Sequence, residues 1–180
     1  TRGYRRWVRP VPEFTDSSSY WDERYRLGRS SGDGSYGKLA EFKAEILNGF
    51  VAAHDVQTVL ELGCGDGNQL SLSHYPSYVG LDVSPLAIED CRHRFGADET
   101  MSFSLMNEFS GGPVECTLSL DVIYHLVEED VFLDYMARLF DLAENYVIIY
   151  SSNTDDQSRG GGPHVRHRIF TDWIEVNRPT

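Results

Sequence analysis

The chain has 180 residues, room for one good-sized core and too few for two ordinary domains. With 41% apolar and 24% charged residues it is not a disordered chain, and none of its apolar runs nears the roughly 20 residues that span a bilayer. A formal charge of −12, from 28 acidic and 16 basic side chains, repels phosphate backbones, so nucleic acid is not the expected partner.

Residues 1–19 form an irregular lead-in, with Pro10, Pro12, a serine run and a basic arm of Arg2, Arg5, Arg6 and Arg9. The chain begins at Thr1, which fits a piece of a larger polypeptide. A short helix over Ser19–Arg26 carries Tyr20, Trp21 and Tyr25, and a glycine-rich loop follows from Gly28 to Gly37. Leu39, Phe42, Ile46, Leu47 and Phe50 recur at spacings of three and four, the stripe of a helix whose exposed side would carry Lys43. Strand and helix signals then alternate: strands over Val56–Leu62, Tyr78–Leu81, Met101–Leu105, Cys116–Leu120 and Tyr146–Tyr150, and a crossover helix over Leu86–Phe95 with Ser84 as cap and Pro85 at its first position. Val131, Phe132, Tyr135, Met136, Leu139 and Phe140 mark a further amphipathic helix. The order predicts a single-domain α/β fold, a Rossmann-like doubly wound, mostly parallel sheet. Ser151–Gly162 reads as a polar mobile loop and Phe170–Val176 as a last helix, with no closing strand pair after it. Cys64, Cys91 and Cys116 are odd in number and far apart, each in or beside a core element. This pattern favours buried thiols in a cytoplasmic protein over a zinc site.

The sharpest motif is Glu61-Leu62-Gly63-Cys64-Gly65-Asp66-Gly67, running from the first strand through a tight turn and toward a helix. Three glycines give a backbone free to take positive φ and to approach a ligand closely at the carboxyl end of the sheet. Asp82 ends the next strand, where a carboxylate accepts both hydroxyl protons of a ribose. Asp66 inside the turn and Glu61 before it suit a pyrophosphate badly and a cofactor carrying an amino group well.

These residues resemble the first motif of class I S-adenosylmethionine-dependent methyltransferases, and Gly80-Leu81-Asp82-Val83-Ser84 resembles their second. The resemblance spans residues 56–151, the cofactor-binding core of a domain over 20–180. It implies S-adenosyl-L-methionine as cofactor, held by Glu61, Gly63, Cys64, Gly65, Gly67, Asp82 and Val83. Residues after the third strand, Met106 with Asn107 or Glu108, frame the adenine, and Arg24 or Lys38 meets the methionyl carboxylate. Trp21-Asp22-Glu23-Arg24-Tyr25, the Gly32–Gly37 loop, the 119–126 stretch and His164-Val165-Arg166-His167 are similar to small bacterial methyltransferases associated with cell-surface polysaccharide genes. That likeness implies O-methylation of a sugar or other small polar acceptor. The alternatives are N-methylation of a metabolite or protein amine, or a non-catalytic cofactor-binding scaffold domain of a glycan-assembly protein.

Candidate chemistry gathers at the end of the fourth strand. His125 is either a base near neutral pH or a helix-start or packing histidine, and Asp121 either orients the acceptor or cofactor or ties down the loop. His164 and His167 fit a lid over the acceptor better than a metal site, which their spacing does not demand. Tyr20, Trp21, Tyr25 and Tyr36 form either an aromatic wall or ordinary packing.

Overall fold

The computed structural model describes residues 12–179, so the basic arm falls outside the described residues. Five parallel strands form one sheet: β1 (Thr58–Leu62), β2 (Ser77–Asp82), β3 (Met101–Leu105), β4 (Val114–Leu120) and β5 (Ala143–Tyr150), in the order β3-β2-β1-β4-β5. The sheet reverses between β1 and β4, which puts the topological switch point beside the glycine turn.

Alternation along the strands sorts the two layers. Val59, Tyr78, Phe103, Cys116 and Leu118 pack under α2 (Gly37–Ala53) and α3 (Pro85–Phe95). Leu60, Leu62 and Leu81 face Phe132, Tyr135, Met136 and Leu139 of α4 (Glu129–Asp141) on the other side. Glu61 therefore points toward the α2 layer, whereas Asp121, past the end of β4 and at a φ of 60°, reaches Lys43 of α2 through its left-handed backbone. The first helix, α1 (Ser17–Arg26), starts two residues inside the expected lead-in because the Asp16 side chain caps the Ser19 amide. The last helix is α5 (Phe170–Asn177), close to its expected span. All three cysteines are free and buried.

Three expectations fail, each for a physical reason. The glycine turn does not lead into a helix: only a single 3-10 turn, Leu70–Leu72, precedes β2. Nine residues separate Gly67 from Ser77, with serines and Pro76 among them, too few and too unfavourable for a nucleated helix. On α2 the buried face is Ala40, Lys43, Ala44, Leu47 and Val51, while Leu39, Phe42 and Ile46 stand 47%, 52% and 56% exposed. Lys43 is thus buried, not exposed, because its ammonium meets the Asp121 carboxylate at 2.6 Å. Ser84 does not cap α3 with its hydroxyl, which donates to Asp22 at 3.0 Å and ties α1 to the sheet.

Candidate active site

The carboxyl ends of β1, β2 and β4 open into a cavity of about 420 Å³ roofed by α1 and the loop after it. That volume lies in the range of small-molecule sites. At its base Gly63, Gly65 and Gly67 all take positive φ, at 91°, 58° and 71°. The Gly63 and Cys64 amides both donate to the Leu81 carbonyl, at 2.7 and 3.0 Å, so the turn is stitched to the end of β2. A β-carbon on Gly63 would meet Val122 at 2.5 Å, and one on Gly67 would meet Phe95 at 2.7 Å. Gly63 and Gly65 line the cavity; Gly67 instead lets the turn pack on α3.

Two buried carboxylates flank the turn. Asp82 accepts from the Gly65 amide through one oxygen and the Ser84 amide through the other, both at 2.9 Å. Burial raises its pKa, against those backbone donors. Each oxygen keeps a lone pair for a further donor. Glu61 lines the cavity too; burial pushes it up to about 7, and the Tyr78 hydroxyl donates to it at 2.6 Å. Beside it Gln69 is 5% exposed; its Nε2 donates to the Ala40 carbonyl at 3.1 Å, and its Oε1 is buried with no donor among the described residues.

Three clamps hold the roof. The Ser17 amide donates to Glu128 at 2.9 Å and its hydroxyl to the His125 carbonyl at 2.8 Å. Asp22 accepts from Ser84. Ser31 and Asp66 bond reciprocally at 2.9 Å in each direction, and the Tyr36 hydroxyl adds a bond to Asp66 at 2.7 Å. Asp66, expected beside the cofactor, is thereby committed to the loop. Trp21 and Tyr25 line the cavity, while Tyr20 is buried and stacks on His164 at 4.3 Å.

On the β4 side the His125 ring faces the cavity, edge-on to Trp21 at 4.8 Å. Its Nδ1 lies 3.0 Å from the His164 carbonyl, an acceptor, so Nδ1 carries the proton and Nε2 is left to accept. Burial lowers its pKa to about 4, so the ring is neutral at pH 7. Asp121 lines the same wall but is engaged, by Lys43 at 2.6 Å and the Tyr124 hydroxyl at 3.0 Å. The segment after the three glycines is latched here, with the Arg166 amide on the Tyr124 carbonyl at 2.8 Å and Arg168 on the Val127 carbonyl at 2.9 Å. His167 bonds Ser152 at 2.7 Å and does not line the cavity.

Other expected ligands stand elsewhere. The Cys64 thiol turns into the core toward Gly80 and Cys91. Arg24 donates to the Ser30 carbonyl at 2.7 Å and lies over Trp21, away from the cavity wall, and Lys38 is exposed. Asn107 and Glu108 are exposed and off the wall, whereas Met106 is on it. In their place α4 contributes Val131, Asp134 and Arg138, and Val83 completes that end. No sequence signal marked Gln69, Ser31 or Asp134, because their roles depend on loop paths between elements.

The lining fits a cofactor with an amino group and no phosphates: it holds Glu61, Asp82, Asp121 and Asp134 against a single arginine, Arg138. The profile of a family described as Methyltransferase domain matches residues 60–141. Residues 60–141 thus carry a methyltransferase domain. The fold is shared with solved structures. N-methyltransferase NodS from Bradyrhizobium japonicum, in complex with S-adenosylhomocysteine, is 17% identical with a TM-score of 0.68 over 89% of this chain and 85% of its own. Magnesium protoporphyrin IX methyltransferase from Synechocystis, also with bound S-adenosylhomocysteine, is 17% identical with a TM-score of 0.60 over 88% and 84%. Phosphoethanolamine N-methyltransferase 1 from Haemonchus contortus is 11% identical with a TM-score of 0.64 over 90% of this chain and 39% of its own. No curated protein matches the chain. Among the described residues no helix of the methyltransferase is long and apolar enough to cross a membrane.

Proposed function

We propose that this methyltransferase methylates a hydroxyl oxygen of a sugar or similarly polar small acceptor, with His125 as the base. The observation that carries the reading is the fixed tautomer of His125: Nδ1 is spent on the His164 carbonyl, and the neutral ring, on a residue that lines the cavity, keeps Nε2 unprotonated. The cofactor supplies an electrophilic methyl group on a sulfonium. A hydroxyl oxygen becomes strongly acidic only as its new bond to carbon forms, so a weak but unprotonated acceptor at Nε2 suffices to take its proton. Asp82, Glu61, Gly63, Gly65 and Val83 hold the cofactor in this reading, with Met106, Val131 and Arg138 around the adenine. Asp121 acts on the acceptor wall as a positioning residue, locked by Lys43.

N-methylation of an amine is the second reading, favoured by the excess of carboxylates in the wall and by two structural neighbours that are N-methyltransferases. Three of those carboxylates are engaged, however: Asp121 by Lys43, Glu128 by Ser17, and Asp16 by the Ser19 amide. That supports the hydroxyl reading. An acidic wall also disfavours phosphorylated acceptors and RNA. Three buried free thiols support a reducing compartment such as the cytoplasm.

The test is methyl transfer from labelled S-adenosylmethionine to a panel of mono- and oligosaccharides, small amines, RNA and proteins, with His125→Ala alongside. Label on a sugar hydroxyl, reduced about 100-fold or more in kcat by the substitution, is the expected result. Label on an amine, insensitive to His125→Ala, would establish the second reading.

A further inference from the structure

His125 is gripped by two segments far from it in the chain. From the roof, the Ser17 hydroxyl donates to its carbonyl at 2.8 Å and Trp21 meets its ring edge-on. From the segment after the glycine run, the His164 carbonyl takes its Nδ1 proton, and that bond selects the tautomer. The unprotonated state of Nε2 therefore depends on where the His164 carbonyl sits. The backbone around that carbonyl restrains it little. Its peptide plane is tied through the Val165 amide to the Gly162 carbonyl at 3.1 Å, but Gly160, Gly161 and Gly162 are exposed and all at positive φ. Glycines in series bring no side-chain anchor and the widest conformational freedom. The next anchor, the Arg166 amide on the Tyr124 carbonyl, comes two residues later. The fixed object beside His164 is Tyr20, which is 2% exposed and stacks on its imidazole at 4.3 Å and 13°. Tyr20 stands one helical turn beyond Ser17, whose amide is clamped by Glu128.

We propose that His164 is a positioning residue for the base: its imidazole, stacked on Tyr20, pins its own carbonyl at Nδ1 of His125 and so keeps the His125 proton off Nε2. The inference rests on the reading of His125 as base and adds what arms it. Ser17, Tyr20 and Trp21 all belong to the helix that roofs the cavity, so the tautomer depends on the seating of α1. A roof lifted to admit a ligand releases His164. An imidazole that loses its acceptor at Nδ1 returns to the tautomer with its proton on Nε2, which cannot accept from a hydroxyl. His125 thus takes protons only beneath a closed roof. The device asks of His164 a flat ring and a backbone carbonyl, and no titration of its own.

The experiment is nitrogen NMR of protein labelled at histidine, recorded at pH 7 without any acceptor, where burial keeps His125 neutral. His125→Ala assigns its two ring signals. In the unsubstituted protein Nδ1 is expected at the shift of a protonated nitrogen. In His164→Ala that signal should be lost, with most of His125 carrying its proton on Nε2. His164→Phe, which keeps a stacking ring, should restore the original pattern, and Tyr20→Leu should reproduce the alanine result. His164 is only half-buried, so its two variants carry the test even if the Tyr20 variant fails to fold. A protonated Nδ1 retained in His164→Ala overturns the proposal, and so does a phenylalanine that fails to restore it. Because the tautomer is read without methyl transfer, the two readings fail separately: transfer insensitive to His125→Ala removes the base and leaves the spectra as they are.

Discussion

Replacing Glu61 by Gln removes a titration that lies at the centre of the cavity. Burial raises this carboxyl from 4.5 to about 7, opposed by the Tyr78 hydroxyl and the Lys43 ammonium and aided by the Asp82 and Asp121 carboxylates. Between those two values the folded chain keeps a proton that the unfolded chain has released. The stability associated with neutral Glu61 is therefore complete below pH 4.5 and is lost as pH rises toward 7. A difference of about 2.5 pH units corresponds to roughly 3 kcal/mol. Urea unfolding from pH 4.5 to 8 should show that decline in the unsubstituted protein and a decline about 3 kcal/mol smaller in Glu61→Gln. The cofactor's α-ammonium needs the ionised form. Affinity for S-adenosylhomocysteine should then rise up to about tenfold per pH unit below 7 and level off above it. In Glu61→Gln the rise should be absent and the affinity at pH 7.5 lower. An unchanged pH profile in that variant would refute the assignment of Glu61 to the ammonium.

Other substitutions probe the frame around it. Asp82→Ala removes the ribose acceptor and strands the Gly65 and Ser84 amides, so S-adenosylhomocysteine affinity should fall about 100-fold, as read by calorimetry. Gly67→Ala puts a β-carbon 2.7 Å from Phe95 at a φ of 71°, and should cost about 1–3 kcal/mol of stability in urea unfolding. Lys43→Met leaves Asp121 half-buried and unpaired, costing about 3–5 kcal/mol, and the double change with Asp121→Asn should recover much of it; additive losses would show that the pair is not coupled.

The strands and the switch point were legible because buried parallel strands need uninterrupted β-branched and leucine runs, and a turn crossing the sheet end needs glycine. Asp82 was legible for the same local reason, standing at the end of such a run. What the sequence concealed was long-range. Lys43 looks like the solvent side of α2 because Leu39, Phe42 and Ile46 form the louder stripe, and its partner Asp121 lies 78 residues away. The small Ala40 and Ala44 are what allow that face to approach the sheet closely. Asp66 reads as a cofactor neighbour until its Oδ2 is seen to accept from Ser31 and Tyr36 of the loop and its Oδ1 from the Asn68 amide. Asn107 and Glu108 were placed by analogy of position, but the eight residues between β3 and β4 contain Gly111, Gly112 and Pro113, cannot form a helix, and leave both side chains in solvent. His125 was proposed from its type and position, whereas its tautomer is set by the backbone of His164, on a segment joined to it only in the fold.

A crystal structure of the protein with S-adenosylhomocysteine tests the account most directly. The account predicts the ribose hydroxyls on Asp82, the amino group at Glu61, and the sulfur facing the space in front of His125. A ribose bound away from Asp82, or a sulfur turned away from His125, would contradict it.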